Sequence, residues 1–174
     1  MAALIPLSSI DAELVEALLD RVFGPDRHAR TAYRIRTGMQ PLDALCFAAL
    51  DEDDYLVATI QAWPVALGDR QGKPHPLIMI GPVAVLPERQ GEGFGQALMA
   101  ACLAGIGANG MPRLPQVLIG DADYYGRWDF TAGPARGWHC PGPYEQERLL
   151  VRCDNPAILP EEGMLGPWTG RAGH

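Results

Sequence analysis

Three glycines fall at alternate positions in ERQGEGFGQALM, residues 88–99: Gly91, Gly93 and Gly95. The residues that follow are apolar and small, as the first turns of a helix would be. Glycine loses more conformational freedom on ordering than any other residue, so this cluster implies unusual torsions or a close backbone approach. The chemistry that suits it is anion binding. The first amides of a helix lack intrahelical acceptors, the helix dipole favours negative charge there, and glycines remove the Cβ atoms that would hold a phosphate away. Spacing narrows the choice of anion. A nucleoside-triphosphate loop needs Gly-Lys-Ser/Thr, which is missing. A dinucleotide fingerprint needs G-x-G-x-x-G directly after its strand, whereas here the spacing is G-x-G-x-G and Pro87-Glu88-Arg89-Gln90 intervene. A methyltransferase-type G-x-G-x-G would also follow its strand directly. A plain turn and helix cap needs fewer glycines than this.

Other chemistry-bearing residues give weaker patterns. The cysteines Cys46, Cys102, Cys140 and Cys153 form no CxxC and no ligand-spaced set with histidine, so no metal site is expected. His139-Cys140 invites a nucleophile, but neighbours in an extended loop do not converge and no third partner is spaced for the role. Arg27, Arg30 and Arg34 concentrate positive charge in RHARTAYRIR. They either favour an anionic acceptor or form a solvated helix face, and the second reading is preferred.

These residues need a scaffold. Leu4 to Leu7 reads as an edge strand. Ile10, Leu14, Val15, Leu18, Leu19 and Val22 recur at helical spacing behind a capping Ser9, and Gly24-Pro25 ends that helix. A second helix is expected from about Asp26 to Gly38. Strands are expected over 44–50, over 55–67 with an interruption at Pro64, and over 76–86 with a bulge near Gly81-Pro82, because proline cannot donate to a ladder. The glycine loop leads into a helix from about Gly93 to Gly107. A strand at 116–119, a short helix over 121–128 and a last strand over 146–153 follow, and 154–174 reads as irregular. The expectation is a single domain over 1–153 with an irregular extension, 154–174, packed on it.

Composition sets the outer bounds. The 174 residues carry a formal net charge of −7, with 48% hydrophobic and 20% charged residues. An acidic chain is a poor match for nucleic acid or an anionic membrane, where phosphates must be neutralised by clustered lysine and arginine. No 18 consecutive residues are apolar, and the first twenty lack the basic and apolar segments of a secretory signal. A cytoplasmic protein with reduced thiols is expected.

Gln90-x-x-Gly93-x-Gly95 resembles the Q/R-x-x-G-x-G/A motif of the GNAT superfamily, the GCN5-related N-acetyltransferases. The run around it is similar too: Val83-Ala84-Val85, Pro87, the motif, then Gln96-Ala97-Leu98. Downstream, YYGRWDF, Tyr124 to Phe130, resembles the family's F-Y-x-x-x-G-F signature. The nearest branch has a GD-x-x-YYGRFGF segment and a GPxRxxRTAYRLR-like segment, here GPDRHARTAYRIR.

The resemblance, over about residues 4–153, implies an α/β (α+β) fold. Its central mixed, mostly antiparallel twisted sheet would have six to seven strands, a bulged fourth strand and about four flanking helices. It implies acetyl-CoA as cosubstrate and no metal. Gln90, Gly91, Glu92, Gly93, Phe94, Gly95 and Gln96 would line the pyrophosphate site through backbone amides, so the side chains of Glu92 and Phe94 should matter little. Val83, Ala84 and Val85 would pair through their backbone with the acyl-pantetheine arm. Tyr125 matches the tyrosine that protonates the leaving thiolate, Tyr124 the usual Phe, and Asp129 replaces the usual Gly and should alter a turn. No general base is visible: Glu88, Asp121 and Asp123 are the nearby acids, and a water relay is the default. The acceptor would be a small-molecule or peptide amine, and homodimers are common in the family. Trp63, Trp128, Trp138 and Trp168 serve either the core or an acceptor groove. A non-catalytic acyl-CoA-binding module on the same fold is the second reading, and a nucleotide or S-adenosylmethionine binder the third.

Overall fold

The computed structural model describes residues 3–169. Eight strands form one sheet: β1 Ala3–Pro6, β2 Phe47–Leu50, β3 Leu56–Gly68, β4 Pro74–Val85, β5 Gln116–Ile119, β6 Gly137–His139, β7 Leu149–Arg152 and β8 Glu162–Pro167. Four helices accompany them: α1 Ala12–Phe23, α2 Thr31–Ile35, α3 Phe94–Gly105 and α4 Ala122–Tyr125. The strand order is β1-β2-β3-β4-β5-β7, with β8 pairing with β3 and β6. β1–β2, β2–β3, β3–β8 and β5–β7 are antiparallel, while β4–β5 and β6–β8 are parallel. This is the expected mixed, mostly antiparallel fold, with β6 and β8 additional to the expected strands. Among the described residues no helix is long and apolar enough to cross a membrane.

The described residues divide into two compact units, 3–28, 41–62 and 80–113 in the first, and 29–40, 63–79 and 114–169 in the second. In the first, α1 buries Val15, Leu18 and Leu19 in a cluster with Leu7, Cys46, Ala48 and Ala84. The helix starts at Asp11, whose carboxylate accepts from the Glu13 amide, and not at the expected Ser9, which lies in a 3-10 turn. Ile10 and Val15 share the cluster, at the positions of a hydrophobic staple before and after that cap. Gly24, with φ of 93°, ends the helix.

In the second unit, Trp138, Ile35, Leu67, Leu77, Met79, Leu149 and Val151 are among the residues of a separate cluster. The Trp138 indole is fully buried and its Nε1 donates to the Pro160 carbonyl at 2.9 Å. Trp138 is thus a core residue, and Trp63 packs against the same cluster.

Several expected boundaries shift. The long second helix is instead a 3-10 turn at Arg27–Ala29 and the short α2, because Arg30 is extended (φ −68°, ψ 148°) between them. β2 begins at Phe47, after a 3-10 turn at Asp43–Leu45. β3 runs through Pro64 without interruption. The segment expected to be irregular contains β8; its residues 170–174 lie outside the described residues. EGMLGP lacks a strand-like alternation, and its conformation comes from the partners on its two edges, β3 and β6.

Candidate active site

The glycine loop grows out of the end of β4. The Leu86 amide donates to the Val57 carbonyl at 2.9 Å, and Pro87–Arg89 then form a 3-10 turn. Gly91 and Gly93 have φ of 86° and 89°, in the left-handed region that L side chains rarely adopt. A Cβ on either would meet nothing within 4 Å, so torsion rather than crowding by the protein demands glycine there. Gly93 is the N-cap of α3, and the first regular bond runs from the Ala97 amide to the Gly93 carbonyl at 3.0 Å.

No side chain caps α3, whereas Asp11 and Asp121 cap α1 and α4. Its first turn is also free of acids. An exposed helix start with open glycines and no carboxylate in the capping position is suited to a phosphate. Val83, Ala84 and Val85 form the last residues of β4, with Ala84 fully buried and the other two half-buried.

Glu92, an awkward residue beside a phosphate, is paired with a cation. The Arg89 guanidinium grips its carboxylate with two donors, Nε to Oε2 at 2.7 Å and Nη2 to Oε1 at 3.0 Å. Its Nη1 donates to Asp51 Oδ2 at 2.9 Å. The Arg89 hydrogen bonds hold the Glu92 carboxyl below its ordinary range. The Asp51 carboxyl is also lowered, first by the Tyr55 amide. The Phe94 ring is buried, with the Arg89 guanidinium 5.3 Å from its centroid. Glu92 and Phe94 therefore make defined side-chain contacts within the loop. The i,i+3 pair Arg89–Glu92 is readable in sequence; the Asp51 contact is not.

Tyr125 lies in the second unit, at the end of α4. Its ring is surrounded by aromatics, with centroids at 4.9 Å to Tyr124, 6.0 Å to Trp128 and 6.3 Å to Phe130. Burial pushes the Tyr125 phenol up to about 12. The ring presses on Gly120, where an added Cβ would lie 2.5 Å from Cε2. Asp129 has φ of 69° and ψ of 22°, a left-handed conformation that aspartate tolerates better than most residues. The aspartate that replaces the family's glycine thus sits in a turn of the kind glycine favours.

Two of the three nearby acids are engaged. Glu88 receives Arg21 Nη2 at 2.8 and 2.9 Å, and Asp121 accepts from the Asp123 amide as the cap of α4. Arg27 and Arg34 bond to the protein itself. Arg27 is buried against Glu16 at 2.5 Å and Asp20 at 3.2 Å, two acids one turn apart on α1. Arg34 Nη1 donates to the Pro141 carbonyl at 3.4 Å. His139 is exposed on β6 while Cys140 is buried, so the adjacent pair does not act as one group.

The structure thus gathers Val83–Val85 and Gln90–Gln96 in the first unit and places Tyr125 in the second. Residues 4–132 match the family model described as "Acetyltransferase (GNAT) domain". No curated protein matches the chain. Among solved structures, a GNAT family N-acetyltransferase (YhbS) from Escherichia coli in complex with CoA is similar, with a TM-score of 0.70 and 22% identity, covering 97% of this chain and 89% of that one. A GNAT family acetyltransferase from Brucella melitensis in complex with acetyl-CoA gives 0.66 and 24%, covering 97% of each chain. Arabidopsis thaliana Naa50 in complex with a bisubstrate analogue gives 0.51 and 17%, covering 86% of this chain and 96% of that one. The fold, the glycine-lined start of α3 and a family model that spans most of the chain agree: this protein belongs to the GNAT acetyltransferase family.

Proposed function

We propose that the chain moves the acetyl group of acetyl-CoA to a primary amine of a small molecule or peptide by direct attack. The observation that carries this reading is the uncapped, glycine-lined start of α3, reached from β4 through the 3-10 turn Pro87–Arg89. Backbone amides of Gln90 to Gln96 would hold the diphosphate. Backbone groups of Val83 to Val85 would hold the pantetheine arm. Two similar solved proteins carry CoA or acetyl-CoA, which supports the choice of donor.

In the reaction the amine nitrogen bonds to the carbonyl carbon, the carbon–sulfur bond breaks, and the amine gives up a proton. Tyr125 would supply the proton that the departing thiolate takes. Its phenol, pushed up to about 12 by burial, stays protonated at neutral pH. So weak an acid yields its proton only to a base strengthened by the same exclusion from water. The amine's proton would leave through water, since Glu88 and Asp121 are engaged. That engagement also favours a second reading, a non-catalytic acyl-CoA-binding module.

Isothermal titration with acetyl-CoA tests the donor, and absence of binding at millimolar ligand would overturn both readings. Turnover on a panel of amines separates them. Transfer that falls in Tyr125→Phe while acetyl-CoA binding persists supports the enzyme; binding without any transfer supports the module.

A further inference from the structure

We infer that Arg89 is a positioning residue for the donor loop: by holding Asp51 and Glu92 together, it fixes the Gly91–Gly95 backbone in the conformation whose amides meet a diphosphate. This rests on the reading of the loop as a CoA site. Glu92 stands between Gly91 and Gly93, both in left-handed torsions. Glycines so placed would sample many conformations without a tether. The two-pronged bond from Arg89 to Glu92 closes the turn back on itself, and such planar pairs are geometrically selective.

The other end of the tether is rigid. Asp51 ends its strand in a tight turn, where Oδ1 accepts from the Asp53 and Tyr55 amides at 2.9 and 3.0 Å. Its Oδ2 is left for Arg89, and its side chain is only 12% exposed. Phe94, at the first position of α3, adds a third anchor through its buried ring against the guanidinium. The loop is thereby held at 89, 92 and 94, before and within the run of amides that would bind the anion.

The rival role for Arg89 is to attract phosphate by its own charge. The contacts argue against it, because three of its donor atoms, Nε, Nη1 and Nη2, are engaged by two carboxylates. One cation against two anions leaves the cluster with no positive charge to offer.

The two roles predict opposite results, read by titrating CoA into wild type, Arg89→Lys, Arg89→Ala, Asp51→Asn and Glu92→Gln. Thermal melts identify folded variants, and Arg89→Lys and Glu92→Gln keep the test open should the harsher changes unfold the protein. Positioning predicts that all four weaken CoA binding about tenfold, since lysine cannot reproduce the fork. It also predicts faster amide hydrogen exchange over residues 91–96 in each variant without ligand. The role is overturned if Arg89→Lys binds like wild type, if Asp51→Asn or Glu92→Gln binds more tightly, or if exchange over the loop does not change. Failure of wild type to bind CoA would remove the donor reading and the role with it. Wild-type binding matched by every variant would remove the role alone.

Discussion

Tyr125 is the residue to which the proposed reaction assigns protonation of the leaving thiolate. A tyrosine in an unfolded chain ionises near 10, and the folded protein raises Tyr125 to about 12 by desolvation. Between about pH 10 and pH 12 the unfolded chain therefore sheds a proton that the folded protein keeps. The stability tied to this group is complete below about pH 10 and is lost as pH rises to about 12. A phenolate absorbance titration of wild type should show one tyrosine ionising near 12 that is missing from Tyr125→Phe. Gly120 sets the position of the ring, because its missing Cβ is the space that Cε2 and Cδ2 fill. Gly120→Ala should move the ring, lower kcat about tenfold and leave the Kd for acetyl-CoA near wild type. A kcat unchanged by this substitution would show that the ring's seat is unimportant.

At the scale of elements, α3 is started by a glycine and not by a capping side chain. α1 and α4 are each capped by an aspartate, whereas α3 and the five-residue α2 have no side-chain cap, and of these two only α3 starts from a left-handed glycine. Gly93 must hold φ of 89° for the helix to begin there. Gly93→Ala meets no steric obstacle, so its effect is torsional, a loss of about 1 kcal/mol from forcing an L-residue into the left-handed region. Chemical denaturation measures that loss. A stability equal to wild type would show that the chain relaxes out of this torsion. The Arg89 tether belongs to the same scale, since it links a strand turn to a helix start through side chains.

For the molecule as a whole, the second unit depends on one large anchor. Trp138 is fully buried within a cluster that also includes Leu67 of β3, Leu77 of β4, Leu149 of β7 and Leu165 of β8. Trp138→Ala leaves a void and an unpartnered Pro160 carbonyl, and should cost about 3–5 kcal/mol. Denaturant melts give the figure, and a loss below about 1 kcal/mol would mean that the cluster closes over the gap. The strand that follows, β8, has partners on both edges and is an integral part of the sheet, not an appendage.

The sequence by itself determined the family and the glycine loop that starts α3. Three alternating glycines after an apolar strand, with YYGRWDF downstream, are local patterns, and local torsional demands such as those at Gly91 and Gly93 are written in residue type. The strand 116–119 and the amphipathic α1 were legible for the same reason, their periodicity being short-range. Tertiary structure decided the rest. Arg27 was one of several helix-spaced arginines until Glu16 and Asp20 enclosed it. Glu92 looked incidental until Arg89, itself held by Asp51, gave it a partner. β8 had no signal of its own, because pairing with β3 and β6 is a property of chains brought together from far apart in sequence. Contacts of that kind depend on the whole fold, and no spacing within one segment records them.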